Sequence, residues 1–136
     1  MELSYLMLTG SLSGLVSIFA HSVIWSGVQM IRGSGAAAPT FAVAFAEALL
    51  HMLCGIGLSV LFWLSWGLAA VIAVPWWVRG ASFGALCWLA LTAPILLDLA
   101  FAVRLPGRTA ALIAGRWAAT CAIAGLACAW SWERML

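Results

Sequence analysis

The sequence contains no lysine and very little charge of either sign. Its 136 residues include six arginines and four acidic residues, so charged residues make up only 7% of the chain and the formal net charge is +2. A soluble domain has about 25% charged residues, and a nucleic-acid-binding domain has a basic patch. The composition argues against both classes. With 66% hydrophobic residues and a mean hydropathy of +1.15, it indicates an integral membrane protein.

Recognisable catalytic and cofactor motifs are also missing. The chain has no HExxH zinc motif, no glycine-rich phosphate loop and no nucleophile motif, so no motif identifies an enzyme activity, and a membrane enzyme is the least favoured interpretation. The four cysteines lie in apolar runs and form no CxxC pair. We therefore predict small buried thiols and neither a disulfide framework nor a zinc site. These cysteines are Cys54, Cys87, Cys121 and Cys128.

Four long apolar runs predict an all-α protein with a single four-span transmembrane domain over residues 1–136. The runs cover about residues 3–31, 41–66, 80–103 and 109–130, and about 20 apolar residues suffice to cross a bilayer. Glycine, proline and arginine separate them, at 32–39, at Gly67 and Pro75, and at 104–108. The first run follows Glu2 and is longer than the apolar region of a signal peptide, so we expect it to be retained. The expected fold is an antiparallel, up-down-up-down four-helix bundle.

Arginine and aromatic residues predict the orientation of this bundle. Four crossings place both termini on one side, called side A, and the first and third loops on side B. Side B has Arg32, Arg104 and Arg108, whereas side A has two arginines and two acidic residues. The positive-inside rule therefore predicts a bacterial inner-membrane protein with side B cytoplasmic and periplasmic termini. An aromatic belt is expected at side A, formed by Tyr5, Trp66, Trp76, Trp77, Trp130 and Trp132.

Five ionisable residues inside the predicted spans form a predicted intramembrane polar cluster. They are His21, Glu47, His51, Asp98 and Arg116. Counting from the loops places all five in the half nearer side B, within about two helical turns of one another. Charged groups at this depth need partners. Spans three and four are joined by a short turn, so Asp98 is the preferred partner of Arg116, and Glu47 is the second choice.

Small residues mark the faces that should contact other helices. Thr9, Ser13 and Ser17 recur every four residues as a polar stripe, beside the glycine pair Gly10 and Gly14. Such faces pack against protein in lipid, because small side chains permit close backbone approach. In the third span, Gly80 and Gly84 repeat this spacing, and Asp98 is expected on the same face. Pro94 should kink that span, since proline has no amide hydrogen to donate.

Three functions fit these features. A structural or assembly role, in which the cluster sets helix register, is favoured. The first alternative is passage of a proton or small solute, for which a homodimer or larger membrane complex would be needed beside the lipid bilayer. The second is haem or metal binding. His21 and His51, predicted at matched depth, would hold a haem, or His21, Glu47, His51 and Asp98 would bind iron or zinc.

Residues 80–130 contain an apolar run that begins with glycine and has a proline at its centre. A turn with arginine and proline follows, and then a further apolar run. The elements are Gly84 to Pro94, Asp98 to Phe101, Arg104-Leu105-Pro106, Gly115-Arg116-Trp117 and Gly125. This pattern resembles an uncharacterised family of small bacterial four-span membrane proteins. The resemblance implies a four-span architecture and adds no activity. The chain departs from that family in its first span, which lacks a tryptophan-tyrosine pattern, and at Asp98, which replaces an uncharged amide.

Overall fold

The computed structural model consists of helices joined by short connections. It describes the backbone of residues 3–32, 40–65, 73–104 and 106–134, and the side chains of these except residues 3, 21 and 24–32. No strand occurs in these ranges, which confirms the all-α prediction. The predicted loop at 33–39 and the predicted break at Gly67 lie outside the described residues. The helices are α1 (Leu3–Arg32), α2 (Phe41–Leu64), α3 (Trp76–Cys87), α4 (Ala93–Val103) and α5 (Gly107–Glu133), with a π-helical turn (Trp88–Thr92) between α3 and α4.

Three helical segments are long and apolar enough to cross a membrane: Phe41–Leu64, Trp76–Val103 and Gly107–Glu133. In α1 the corresponding apolar stretch with described side chains is Ser4–Ala20, which is shorter. The third segment begins before the predicted start at residue 80. Its first turn forms at Pro75, whose carbonyl oxygen accepts the amide hydrogens of Val78 and Arg79.

Glycine brings α1 and α2 into backbone contact. Gly10 lies against Gly55, and Gly14 lies against the backbone of His51. A Cβ atom added at any of these three glycines would clash with a carbonyl oxygen of the facing helix. The predicted small-residue face of α1 is therefore the face that contacts α2.

A second glycine contact joins α3 to α5. Gly80 lies against Gly125, and Gly84 lies against Cys121. A Cβ atom at Gly84 would be 2.6 Å from the Cys121 carbonyl oxygen, closer than real Cβ atoms come to backbone. The two glycine contacts thus place α1 beside α2 and α3 beside α5.

An aromatic and thiol core fills the space between these two pairs. Phe62 of α2 makes edge-to-face contacts with Phe83 of α3 at 5.0 Å and with Trp132 of α5 at 5.8 Å, measured between ring centroids. Three of the cysteines are buried and Cys54 is half-buried, and all four are free thiols. This confirms the prediction that they serve as small core residues. The buried apolar set is Leu6, Leu58, Phe62, Phe83, Cys87, Cys121, Ala124, Cys128 and Ala129.

The third helical segment changes its hydrogen bonding just before Pro94. The Ala93 amide donates to the carbonyl oxygen of Trp88, five residues earlier, so a π turn stands where the sequence predicted a kink. One additional residue in a turn rotates the following helix by about 100° relative to a continuous α-helix. As a result α4 has no buried residue and makes slight contact with α5. The Trp88 indole Nε1–H donates to the Ala114 carbonyl oxygen at 3.0 Å, which ties the π turn to α5.

Candidate functional site

Glu47 and Arg116 form an ion pair that joins α2 to α5. Glu47 lies in the second turn of α2 and Arg116 in the third turn of α5. Their side chains are 31% and 44% exposed, so the pair lies at the edge of the bundle and not at its centre. A guanidinium group suits this contact, because its forked donors match the two carboxylate oxygens. The second-choice partner predicted for Arg116 is the one found.

The prediction that Asp98 is the partner of Arg116 was wrong. Asp98 is exposed on α4 and forms no ion pair within the described part of the chain. The prediction placed Asp98 on the face of Gly84, assuming one continuous helix. Gly84 is buried, but the π turn between them rotates α4 and brings Asp98 onto an exposed face.

His51 lies one turn beyond Glu47 on α2 and is buried, with 3% of its surface exposed. Its imidazole ring stacks on the indole of Trp117, with 4.9 Å between centroids and 7° between ring planes. Nδ1 lies 2.9 Å from the Glu47 carbonyl oxygen, so this nitrogen carries the hydrogen and donates it. Trp117 was not assigned to the polar cluster from the sequence. Its position directly after Arg116 was the available signal, since that residue was already assigned to the cluster.

These side chains line an open cleft of about 460 Å³ between α2 and α5. The remaining lining residues are apolar: Val43, Ala46, Leu50 and Ile113. The cleft is therefore an apolar surface with one ion pair and one stacked imidazole in its wall. Both members of the ion pair are partly exposed toward this cleft.

The polar stripe of α1 is satisfied locally. Ser13 and Ser17 are buried, and their hydroxyl groups donate to carbonyl oxygens of Gly10 at 2.7 Å and of Ser13 at 3.0 Å. Thr9 donates to a carbonyl of its own helix and accepts a hydrogen bond from Ser131 of α5 at 3.4 Å. Because these hydroxyl groups donate to carbonyl oxygens of their own helix, the stripe can pack against neighbouring helices without leaving a buried donor unsatisfied.

The described members of the predicted metal set, Glu47, His51 and Asp98, are not brought together. Among the described side chains, no group of three or more His, Cys, Asp or Glu can hold a metal ion. The side chain of His21 lies outside that set. Its backbone level follows from Gly14, which lies against His51. Because His21 is seven residues further along α1, it lies about 10 Å from the level of His51. The two histidines therefore lie at different backbone levels along the α1–α2 contact, and haem or metal binding stays a prediction.

A further cation is buried at the other end of the bundle. Arg79 is 7% exposed and lies in the first turn of α3. Arg79 is one of the two arginines assigned to side A from the sequence, because the third span was expected to begin at residue 80. The earlier helix start at Pro75 places Arg79 inside the folded helix instead.

The polar cluster is thus reduced to a contact between two helices that are not consecutive in the chain. Glu47 pairs with Arg116, and His51 packs on Trp117 one turn away. Comparison with family models, with curated proteins and with solved structures gives no match. What the site can do therefore follows from this geometry.

Proposed function

We propose that the chain is an integral membrane protein that crosses the bilayer four times as an up-down-up-down bundle. Three helical segments have the required length and apolarity. The 30 residues of α1 extend about 45 Å at 1.5 Å per residue, which exceeds a hydrocarbon core of about 30 Å. Residue numbers fall along α2 as they rise along α1, from Gly10 with Gly55 to Gly14 with His51, which supports antiparallel neighbours.

The distribution of side chains supports a lipid environment. Many large apolar side chains point outward, with exposed fractions of 86% for Phe41, 80% for Phe101 and 72% for Phe19. Small residues such as Gly10 and Gly125 are inside. In water such a surface would aggregate, whereas in lipid small residues at helix contacts and large ones outside are the usual arrangement. We place this bundle in a bacterial inner membrane, with side B cytoplasmic, on the arginine distribution.

Within this bundle we propose that the polar cluster has a structural, assembly-related role. The observation that carries this proposal is the Glu47–Arg116 ion pair, because it links the α1–α2 pair to the α3–α5 pair. The pair fixes the depth of α2 relative to α5, since a shift by one turn would separate the two charges. Polar residues that set register in this way are a known use of ionic groups in helical bundles.

A double-mutant cycle on the pair tests the structural role. We expect Glu47→Leu and Arg116→Leu each to reduce the free energy of unfolding in detergent by about 1–2 kcal/mol. This is less than the 3–5 kcal/mol of a fully buried pair, because both side chains are partly exposed. The double variant should lose clearly less than the sum of the single losses, because no charge is left without its partner.

Arg108→Leu serves as the matched control, since Arg108 is exposed at the start of the same helix. Arg108→Leu should change the free energy of unfolding little. Adding it to Glu47→Leu should leave the loss caused by Glu47→Leu unchanged. Additive losses for Glu47 and Arg116 would mean that the ion pair does not set the helix contact, and the structural role would then fail.

The exposed part of the ion pair favours passage of a proton or small solute as a second candidate function. Glu47 and Arg116 line the cleft between α2 and α5 and are partly exposed there, and ionisable groups within membranes often mark ion paths. Proton flux into lipid vesicles containing the protein tests this. A flux above that of empty vesicles, abolished by Glu47→Gln while the protein stays folded, would favour transport. Equal flux with and without the protein would leave the structural role.

A further inference from the structure

A groove of about 240 Å³ lies between α4 and α5. It is present because the π turn rotates α4, which therefore makes only slight contact with α5. Alanine side chains, including Ala110 and Ala114, form the α5 wall, and alanine and leucine side chains, including Ala93 and Ala100, form the α4 wall. The groove is thus an apolar space between two of the proposed membrane-spanning segments.

The lining offers no free side-chain hydrogen bond to an occupant. Trp88 closes the end that is further from the turn between α4 and α5, and its indole nitrogen is the polar side-chain atom of the described lining. This N–H already donates to the Ala114 carbonyl oxygen at 3.0 Å. A polar group in the groove would find no side-chain partner, so hydrocarbon suits the groove best.

Two arginines stand at the other end of the groove. Arg104 follows α4 directly, one turn after Ala100, and Arg108 lies in the first turn of α5, two residues before Ala110. Both side chains are exposed, and neither forms an ion pair with another described residue. The mouth of the groove is therefore positively charged.

The acidic residues of the chain do not balance this charge. Glu47 is already paired with another arginine. Asp98 is two residues from Ala100 and hence on the opposite side of α4 from the groove. Glu2 comes just before α1 and Glu133 ends α5, and these two helix ends meet at the far end of the bundle. The positive mouth therefore favours an anionic ligand.

We propose that an anionic phospholipid binds at this place, with one acyl chain in the groove between α4 and α5 and its phosphate group at Arg104 and Arg108. This rests on the membrane insertion proposed above. The groove and its mouth require one molecule with a hydrocarbon part beside an anionic part, and an anionic phospholipid has both. The forked donors of arginine match phosphate oxygens, and basic pockets between membrane helices bind anionic lipid headgroups on the cytoplasmic side.

A lipid chain fits this space, whereas a further protein helix does not. Along α5, Ala114 is six residues from Arg108, which is about 9 Å at 1.5 Å per residue. One leaflet contributes about 15 Å of hydrocarbon, half of a core of about 30 Å. A chain whose phosphate group is at the arginines therefore reaches the closed end of the groove. A helix with its side chains is about 10 Å wide, too wide to enter a groove of about 240 Å³.

Lipid titration of the full chain in detergent tests the proposal, with bound lipid counted by native mass spectrometry. Dioleoyl phosphatidylglycerol is anionic, and dioleoyl phosphatidylcholine has the same chains and no net charge. We expect phosphatidylglycerol to bind about 25-fold more tightly, because each arginine near an anionic lipid contributes about fivefold. Equal affinity for the two lipids would overturn the proposal.

Single arginine variants locate the phosphate group. Arg104→Gln and Arg108→Gln should each weaken phosphatidylglycerol binding about fivefold and leave phosphatidylcholine binding unchanged. Arg134→Gln is the matched control, because it removes an exposed arginine from the opposite end of α5. An equal loss in all three variants would show attraction by overall charge and would contradict a site at the turn.

A matched pair of alanine variants on α4 locates the acyl chain. Ala100→Leu fills part of the groove and should weaken binding of both lipids about tenfold. Ala102→Leu adds the same side chain on the opposite side of the helix and should leave binding unchanged. Circular dichroism checks that both variants keep the helical content of the parent. Unchanged binding by a folded Ala100→Leu variant would show that no chain lies in the groove.

Two further measurements separate the lipid from other occupants. Glycerol phosphate in excess should not displace the lipid, because it lacks the hydrocarbon part; displacement would indicate a site for free anions and would overturn the proposal. A second copy of the chain that is released on addition of phosphatidylglycerol would likewise show that protein, and not lipid, occupies this face.

Carbonate extraction of the membranes separates this proposal from the one on which it rests. A chain that is extracted as a soluble protein would contradict membrane insertion itself. A chain that stays in the membrane but binds both lipids equally would contradict the lipid site alone.

Discussion

Replacing Gly84 by alanine should push α3 and α5 apart. The added Cβ would lie 2.6 Å from the carbonyl oxygen of Cys121 and 3.0 Å from the Cα atom of Ala122. An ordinary Cβ contact begins at 3.4 Å, so the first distance is about 0.8 Å too short. Both facing atoms belong to the backbone and cannot rotate away. The two helices must therefore separate or tilt, and the distances between α3 and α5 increase along their whole contact.

The magnitude follows from two opposing effects. Overpacking of a close contact lowers the free energy of unfolding by about 1–3 kcal/mol. A glycine-to-alanine change inside a helix raises it by up to about 1 kcal/mol through helix propensity. We expect Gly84→Ala to lower the free energy of unfolding by about 0.5–2 kcal/mol. Gly115→Ala on α5 is the matched control, because nothing lies within 4 Å of its added Cβ. This control should retain or slightly raise stability.

Unfolding in mixed micelles, driven by a rising mole fraction of dodecyl sulfate and followed by circular dichroism, measures both variants against the parent. The difference between Gly84→Ala and Gly115→Ala is the informative quantity, because helix propensity contributes equally to both. If the two variants have the same stability, the close approach of α3 and α5 at Gly84 is refuted.

The same reasoning extends to the other helix contacts. Gly55→Ala should destabilise the α1–α2 pair by about 0.5–2 kcal/mol. Gly57→Ala, with nothing within 4 Å of its added Cβ, should retain or slightly raise stability, and equal melting temperatures for the two variants would contradict the contact at Gly55. Trp88→Phe removes the hydrogen bond to the Ala114 carbonyl oxygen and should cost about 0.5–1.5 kcal/mol in chemical unfolding. Trp77→Phe, at an exposed tryptophan, provides its control, and a similar loss there would argue against the hydrogen bond.

Local periodicity was sufficient to predict the helices and the packing face of α1. Gly10, Gly14 and Ser17 recur at helical spacing, and this spacing already places them on one side. Their burial against α2 followed from the rule that small residues face protein in lipid. The Glu47–His51 spacing likewise predicted a shared face. It did not reveal that His51 would bond to the backbone of Glu47 and stack on an aromatic ring of another helix.

The choice of ion-pair partner required information that spacing does not contain. Asp98 was favoured for Arg116 because a short turn joins their helices. That inference holds only if the helix remains α-helical from Gly84 to Asp98. The π turn at Trp88–Thr92 rotates α4 relative to α3. A constant helical spacing applied to the sequence does not include this rotation. Pro94 indicated a disturbance at this place, but not its sense or its size.

The position of α5 explains both the ion pair and the exposed carboxyl group. Helix α5 contacts α1, α2 and α3, and its buried residues are all small: Thr120, Cys121, Ala124, Gly125, Cys128, Ala129 and Ser131. Only a helix with small side chains on successive turns can accept close neighbours on several sides. With α2 beside it, Arg116 reaches Glu47. Because α3 packs against α5 at Gly125, the rotated α4 lies outside the α3–α5 contact. Asp98 is consequently exposed on the outer face of α4.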